Sequence, residues 1–184
     1  MTALTRPRIL FLILFAFPIA DARSAASANI PVLTVCEALN DADQYEGKSV
    51  IIVGRTASTI EGRWLTEDCG RKFVRGNREF DAQISTFYFV GDFAPAPPLP
   101  DGFKWDKRLL QQKLTQVKQT TELHTYKDRR YNDRWYAMFG RLETHLPRRI
   151  FTTNKTEAYT DGFGHQSGSP AQLVSPGNGS LRLK

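Results

Sequence analysis

Apolar and polar residues change their period several times along this chain, and each change marks an element. Thr34 and Glu37 form a capping box in "TVCEAL", which predicts a short helix through about Asn40. Asp41 offers a cap for one further turn, and Gly47 suits the position just past a helix end. Val50 to Val53 are all apolar, so this strand is expected to be covered on both faces. Gly54 breaks the run, as at a bulge or a bend in a curved sheet. Glu61-Gly62 reads as a turn into a returning strand through "RWLTED".

In "EFDAQISTFYFV", Phe80, Ala82, Ile84 and Tyr88 alternate with Asp81, Gln83 and Ser85, the pattern of a half-buried strand with a solvated face. "APAPPLPDG" cannot continue a sheet and reads as a rigid surface segment. A long amphipathic helix is expected between Asp101 and Leu123, with Trp105, Leu109, Leu110, Leu114 and Val117 facing the core. "RWYAMFGRLETHL" is a further strand, with Trp135, Ala137 and Phe139 on one face. Gly140 repeats the glycine-in-strand pattern. "AQLVSP" gives a short last strand, and residues 176–184 are expected to form a flexible tail.

The order is therefore a short helix, three strands, one long helix and two strands. A mainly β chain with helices in this order points to an OB-fold-like β-barrel: a five-stranded curled sheet, the long helix between strands three and four, and a short N-terminal helix. Gly54 and Gly140 fall where such a barrel bends its strands.

The first 28 residues change the picture of where the protein works. Arg6 and Arg8 precede the apolar run Ile9–Phe17, and small residues follow, as in a secretory signal peptide. The run is too short to span a membrane, so no span is expected after cleavage. Ala20-Asp21-Ala22 and Ala26-Ser27-Ala28 are competing cleavage sites, placing the cut after Ala22 or Ala28. The reading is a signal peptide and short linker over 1–28 and one domain over 29–175, secreted or periplasmic and monomeric. Residues 1–28 carry three arginines and one aspartate, so their removal lowers the formal charge from +6 to +4. That mild excess favours acidic surfaces without pointing to nucleic acid.

Two cysteines remain, Cys36 and Cys69, 33 residues apart. An even count in an exported chain reads as a disulfide. No C-x-x-C is present, and His124, His145 and His165 hold no ligand spacing, so no redox pair, metal or cofactor is expected. The bridge is expected to staple the N-terminal helix to the end of the second strand.

"YEGKSVIIVGRT" followed by "GRWLTEDC" resembles the Y-x-G-K-x-V-x-V-x-G opening of small, uncharacterised secreted bacterial proteins with an OB-like, anticodon-binding-like domain. "VCEAL" and "DGFGHQSGSPAQLV" are similar to stretches of the same group, and the likeness covers most of residues 30–175. It implies an exported OB-like domain. It implies no catalytic residue, and the Pro-rich insertion departs from a minimal OB domain.

Candidate chemistry lies in two basic stretches. "KDRRYNDRW" interleaves Arg129, Arg130 and Arg134 with Tyr131 and Trp135, the mixture by which OB-folds track phosphates and stack bases, although Asp128 and Asp133 offset part of the charge. "GRKFVRGNRE" brings Arg71, Lys72, Arg75 and Arg78 to the hairpin between strands two and three, on a face OB domains use for ligands. Each stretch reads in the first place as a solvated loop. No G-x-S-x-G, H-E-x-x-H or P-loop occurs. The expected role is a binding or accessory module for a polymer or an envelope protein. A binder of single-stranded nucleic acid or another polyanion is the alternative, and an enzyme the least supported.

Overall fold

The computed structural model describes residues 29–59, 62–86, 95–122, 131–145, 151–153, 156–158, 162–164 and 168–184. The leader-like segment 1–28, Arg129, Arg130 and His165 lie outside the described residues.

Two long strands organise the molecule. β1 (Val32–Thr34) leads into α1 (Val35–Asn40) and α2 (Ala42–Tyr45), and then β2 (Ser49–Thr59) and β3 (Gly62–Thr66) follow. A small hairpin, β4 (Phe73–Arg75) and β5 (Arg78–Phe80), precedes β6 (Gln83–Ser85). α3 (Lys107–Glu122) comes next, then β7 (Tyr131–Glu143). β8 (Phe151–Thr153), β9 (Thr156–Ala158), β10 (Ala171–Val174) and β11 (Ser180–Leu183) complete the chain. The pairing order β2-β3-β6-β10-β7 closes on itself through β2–β7. The β6–β10 pair is parallel and the other barrel contacts are antiparallel. The protein is thus a closed five-stranded mixed barrel of OB-like kind, mainly β with a few helices.

β2 and β7 are long enough to share their edges. β1 lies parallel to β2 at Ile51–Val53, while β3 takes β2 from Arg55 onward. On β7, β10 pairs with residues 141–143 and β11 with residues 135–138. The carboxyl terminus, expected to trail loosely, is therefore strand-paired from Ser180 to Leu183, and Leu181 and Leu183 pack against the helix-side core. The stretch 79–90, expected as one strand, is split between β5 and β6 at Asp81-Ala82, and its residues 87–90 lie outside the described residues.

The unbroken run Val50–Val53 is covered on both faces because two cores meet across β2. Val50 and Ile52 point into the barrel with Leu65, Ile84, Leu142 and Leu173, and α1 closes that interior with Val35, Ala38 and Leu39. Ile51 and Val53 point outward with Ala137 and Phe139, against Leu110, Leu114 and Val117 of α3. Trp105, expected on the helix stripe, precedes α3 and meets Phe103 edge-on at 4.9 Å between ring centroids. Asp106 accepts the Leu109 N–H at 3.0 Å and caps the helix.

The strand glycines are sites of close approach. A Cβ on Gly140 would sit 2.7 Å from the Val174 carbonyl oxygen, and one on Gly54 would sit 2.9 Å from Val35 Cγ2. The β2–β7 register shifts between Arg55 and Ala57, beside Gly54.

Candidate functional site: a groove between the N-terminal helices and a hairpin

Cys36 and Cys69 are bonded, with their Cα atoms 5.6 Å apart. The staple holds α1 to the chain leaving β3, as the sequence led us to expect. A half-buried disulfide belongs in an oxidising compartment.

Around the bridge, α1 is held from three sides. Its capping box is complete: Thr34 Oγ1 accepts from Glu37 N–H at 3.2 Å, and Glu37 Oε2 accepts from Thr34 N–H at 2.9 Å. Lys113 of α3 reaches both Glu37 oxygens, at 2.5 and 2.6 Å. The buried Glu67 carboxylate accepts the Cys36 N–H at 2.8 Å and the Thr120 hydroxyl at 3.1 Å. Burial pushes the Glu67 carboxyl above the usual carboxylate range against those hydrogen bonds, and neighbouring Glu37 adds to the rise. Burial also opposes ionisation of Glu37, but Lys113, the Thr34 backbone and Gln116 outweigh it and hold that carboxyl below its usual range. Ligand atoms of Cys36, Glu67 and Cys69 lie within 4.8 Å of one another. The sulfurs are bonded to each other, so neither is a thiolate able to ligate a metal.

The helix unit fixed in this way forms one wall of a groove of about 580 Å³. Leu39, Phe73 and Pro170 contribute apolar surface. Asp41 and Asp43, both exposed, stand on the helix side, and Val74 and Arg75 on the β4 side. Phe73 and Phe80 are buried and anchor the hairpin. Arg71 and Arg78 lie over these rings at 5.0 and 5.1 Å. Gly76, with φ +57°, makes the tight turn between β4 and β5.

The basic residues singled out in the sequence come to different ends. Arg71 donates to Asn40 Oδ1, Lys72 pairs with Asp81, and Arg75 donates to the Thr144 carbonyl at 2.7 Å. All three are committed to partners within the chain. Trp135 is half-buried against the α3-side core, with Lys118 Nζ 5.9 Å from its ring centroid, so it is not an open stacking platform. Arg134 is exposed and lines a second cavity of about 100 Å³ with Arg63, Tyr136 and Met138. Tyr131 starts β7; its side chain, like Arg129 and Arg130, falls outside the described residues.

Among the described residues, the two basic stretches are not seen to share one surface. Arg134 lies near the start of β7, whereas Arg75 is tied to Thr144 just beyond its end. Ten residues of strand separate them, roughly 30 Å at the rise of extended chain.

The sequence reading missed Asp41, Asp43 and Val74 as groove residues. "FVRGNREF" carried the signal: two short apolar-polar runs flanking Gly76-Asn77 form a hairpin motif. It also missed a line of buried polar groups on the outer barrel wall. Trp64, Ser85, Gln172 and Glu143 are cross-strand neighbours in turn. Among the described residues, Trp64 Nε1, Ser85 Oγ, Gln172 Nε2 and Glu143 Oε2 have no hydrogen-bond partner. Ser85, expected on a solvated face, is fully buried.

Among the described residues no helix is long and apolar enough to cross a membrane. Comparison with protein-family models, curated proteins and solved structures gives no match.

Proposed function

We propose that this chain is an exported, monomeric binding or accessory module that takes its ligand in the groove between α1–α2 and the β4–β5 hairpin. The observation that carries the reading is the groove itself: a concavity of about 580 Å³, part apolar and part polar, between two walls held by a disulfide and by paired side chains. Pre-formed concavities with a few placed polar groups are where ligands bind. The bridge and the leader-like run Ile9–Phe17 support export from a bacterial cell, as the resemblance to secreted OB-like proteins implies. The opposite charges on the two walls favour a ligand with mixed polarity over a uniform polyanion.

Gln44 is exposed on the groove wall, so Gln44→Trp fills the groove without touching the core. A thermal-shift screen against peptides, glycans and oligonucleotides is expected to yield a class that stabilises the wild type and not Gln44→Trp. A ligand that stabilises both proteins equally would refute the assignment.

The polyanion reading draws on Arg63 and Arg134 flanking the smaller cavity at the other end of β7. It requires oligonucleotide binding that weakens steeply as salt rises and is lost in Arg134→Ala.

A further inference from the structure

Within this groove reading, we infer that the occupant is an extended polypeptide segment carrying a basic side chain, added as a third strand to the free edge of β4 and facing Asp41 and Asp43. The inference deepens the proposed function and rests on it.

Three observations converge on that edge. Among the described residues β4 pairs with β5 alone, and the groove touches residues 73–76 and none of β5. The groove therefore lies along the unpaired side of β4. The turn closes on the Arg75–Arg78 pair, which makes Val74 and Glu79 the next, non-hydrogen-bonded pair. The N–H and C=O of Val74 then point away from β5, toward the groove. Such a pair of groups is a template for another chain. Finally, Val74 is the one large apolar side chain that stands mostly exposed among the described residues, at 66 %. An isolated polar-edged hairpin gains nothing from an exposed valine, whereas an added strand would cover it.

Charge selects the kind of segment. Arg71, Lys72 and Arg75 are each already engaged with Asn40, Asp81 and the Thr144 carbonyl. Asp41 and Asp43 on the facing wall are exposed. The groove lining carries these two carboxylates against one guanidinium, that of Arg75. Carboxylates outnumber cations along the lining, so the helix-side wall favours a positively charged side chain. Side chains alternate along a strand, so a segment of alternating apolar and basic residues presents one face to the apolar lining and the other to charged groups.

The test uses the full mature chain and three labelled octapeptides of alternating sequence, Val-Lys, Val-Thr and Val-Glu, titrated by fluorescence anisotropy. The Val-Lys peptide is expected to bind about tenfold tighter than Val-Glu, with Val-Thr between them. Asp41→Asn with Asp43→Asn should bring the three within about threefold of one another. Val74→Pro removes the edge donor and should weaken Val-Lys about tenfold or more. A Val-Lys peptide N-methylated at alternate residues should fail against the wild type, which tests the main-chain pairing without altering the protein. Equal affinity for Val-Lys and Val-Glu, or full binding by the N-methylated peptide, would overturn the inference. Should a glycan or oligonucleotide instead bind and be lost in Gln44→Trp, the strand-addition inference falls while the groove assignment stands. If no probe binds and Gln44→Trp changes nothing, both fall.

Discussion

Cys36 donates its backbone N–H to the Glu67 carboxylate at 2.8 Å, and its sulfur is bonded to Cys69 two residues further along the chain from Glu67. One covalent and one electrostatic tie therefore fasten the start of α1 to the same short stretch. The two ties respond to different conditions. Glu67 holds its proton more tightly folded than unfolded, because burial raises its carboxyl above the ordinary 4.5. Its contribution is therefore most favourable at low pH and declines as pH rises from about the unfolded value through the raised folded one. Glu37 behaves oppositely: its carboxyl is lowered, so its stabilisation is present above the ordinary value and is lost as pH falls through the folded one. Urea unfolding at stepped pH should show Glu67→Gln flattening the decline that sets in as pH rises above the ordinary 4.5. Glu37→Gln should remove part of the acid-side loss. Unchanged pH slopes in both variants would contradict this account.

The disulfide closes a loop of 33 residues' separation. A chain-entropy model assigns such a cross-link roughly 3–4 kcal/mol. Cys36→Ser with Cys69→Ser should lose about that much in urea unfolding, and adding reductant to the wild type should reproduce it. Loss of under about 1 kcal/mol would mean that Glu67 and the helix contacts hold α1 without the bridge.

Gly140→Ala places a Cβ against the Val174 backbone at the β7–β10 seam, where neither strand is free to shift. A destabilisation of about 1–3 kcal/mol is expected. Leu65→Ala, in the barrel interior, should cost about 2–5 kcal/mol.

Ser85→Ala should behave quite differently. Its buried hydroxyl has no partner among the described residues, so the methyl side chain removes an unsatisfied polar group and leaves little void. Stability should be unchanged or raised by up to about 1 kcal/mol. A clear loss would show that an ordered water or ligand completes the Trp64–Ser85–Gln172–Glu143 line.

What was legible in the sequence follows from which forces act locally. The capping box at Thr34 and Glu37, the two-sided run Val50–Val53 and the stripe Leu110, Leu114 and Val117 are local patterns, and all appear in the fold. Cysteine arithmetic reached the disulfide because only one pairing existed. The pairing of β11 was not legible: "SLRL" follows Pro176 and Gly177, and only the unused edge of β7 recruits it. The split at Asp81-Ala82 was hidden because alternation continues through it. The site was read least well. Arg71, Lys72 and Arg75 are conspicuous as charges, but Asn40, Asp81 and Thr144, which engage them, are brought near only by the fold.

The groove assignment is tested most directly by amide chemical-shift mapping on the ¹⁵N-labelled protein during titration with the Val-Lys octapeptide. The account requires saturable shifts concentrated at residues 39–44 and 73–76, the two walls of the groove. Shifts centred instead on Arg63 and Arg134, or scattered over the surface without saturation, would contradict it.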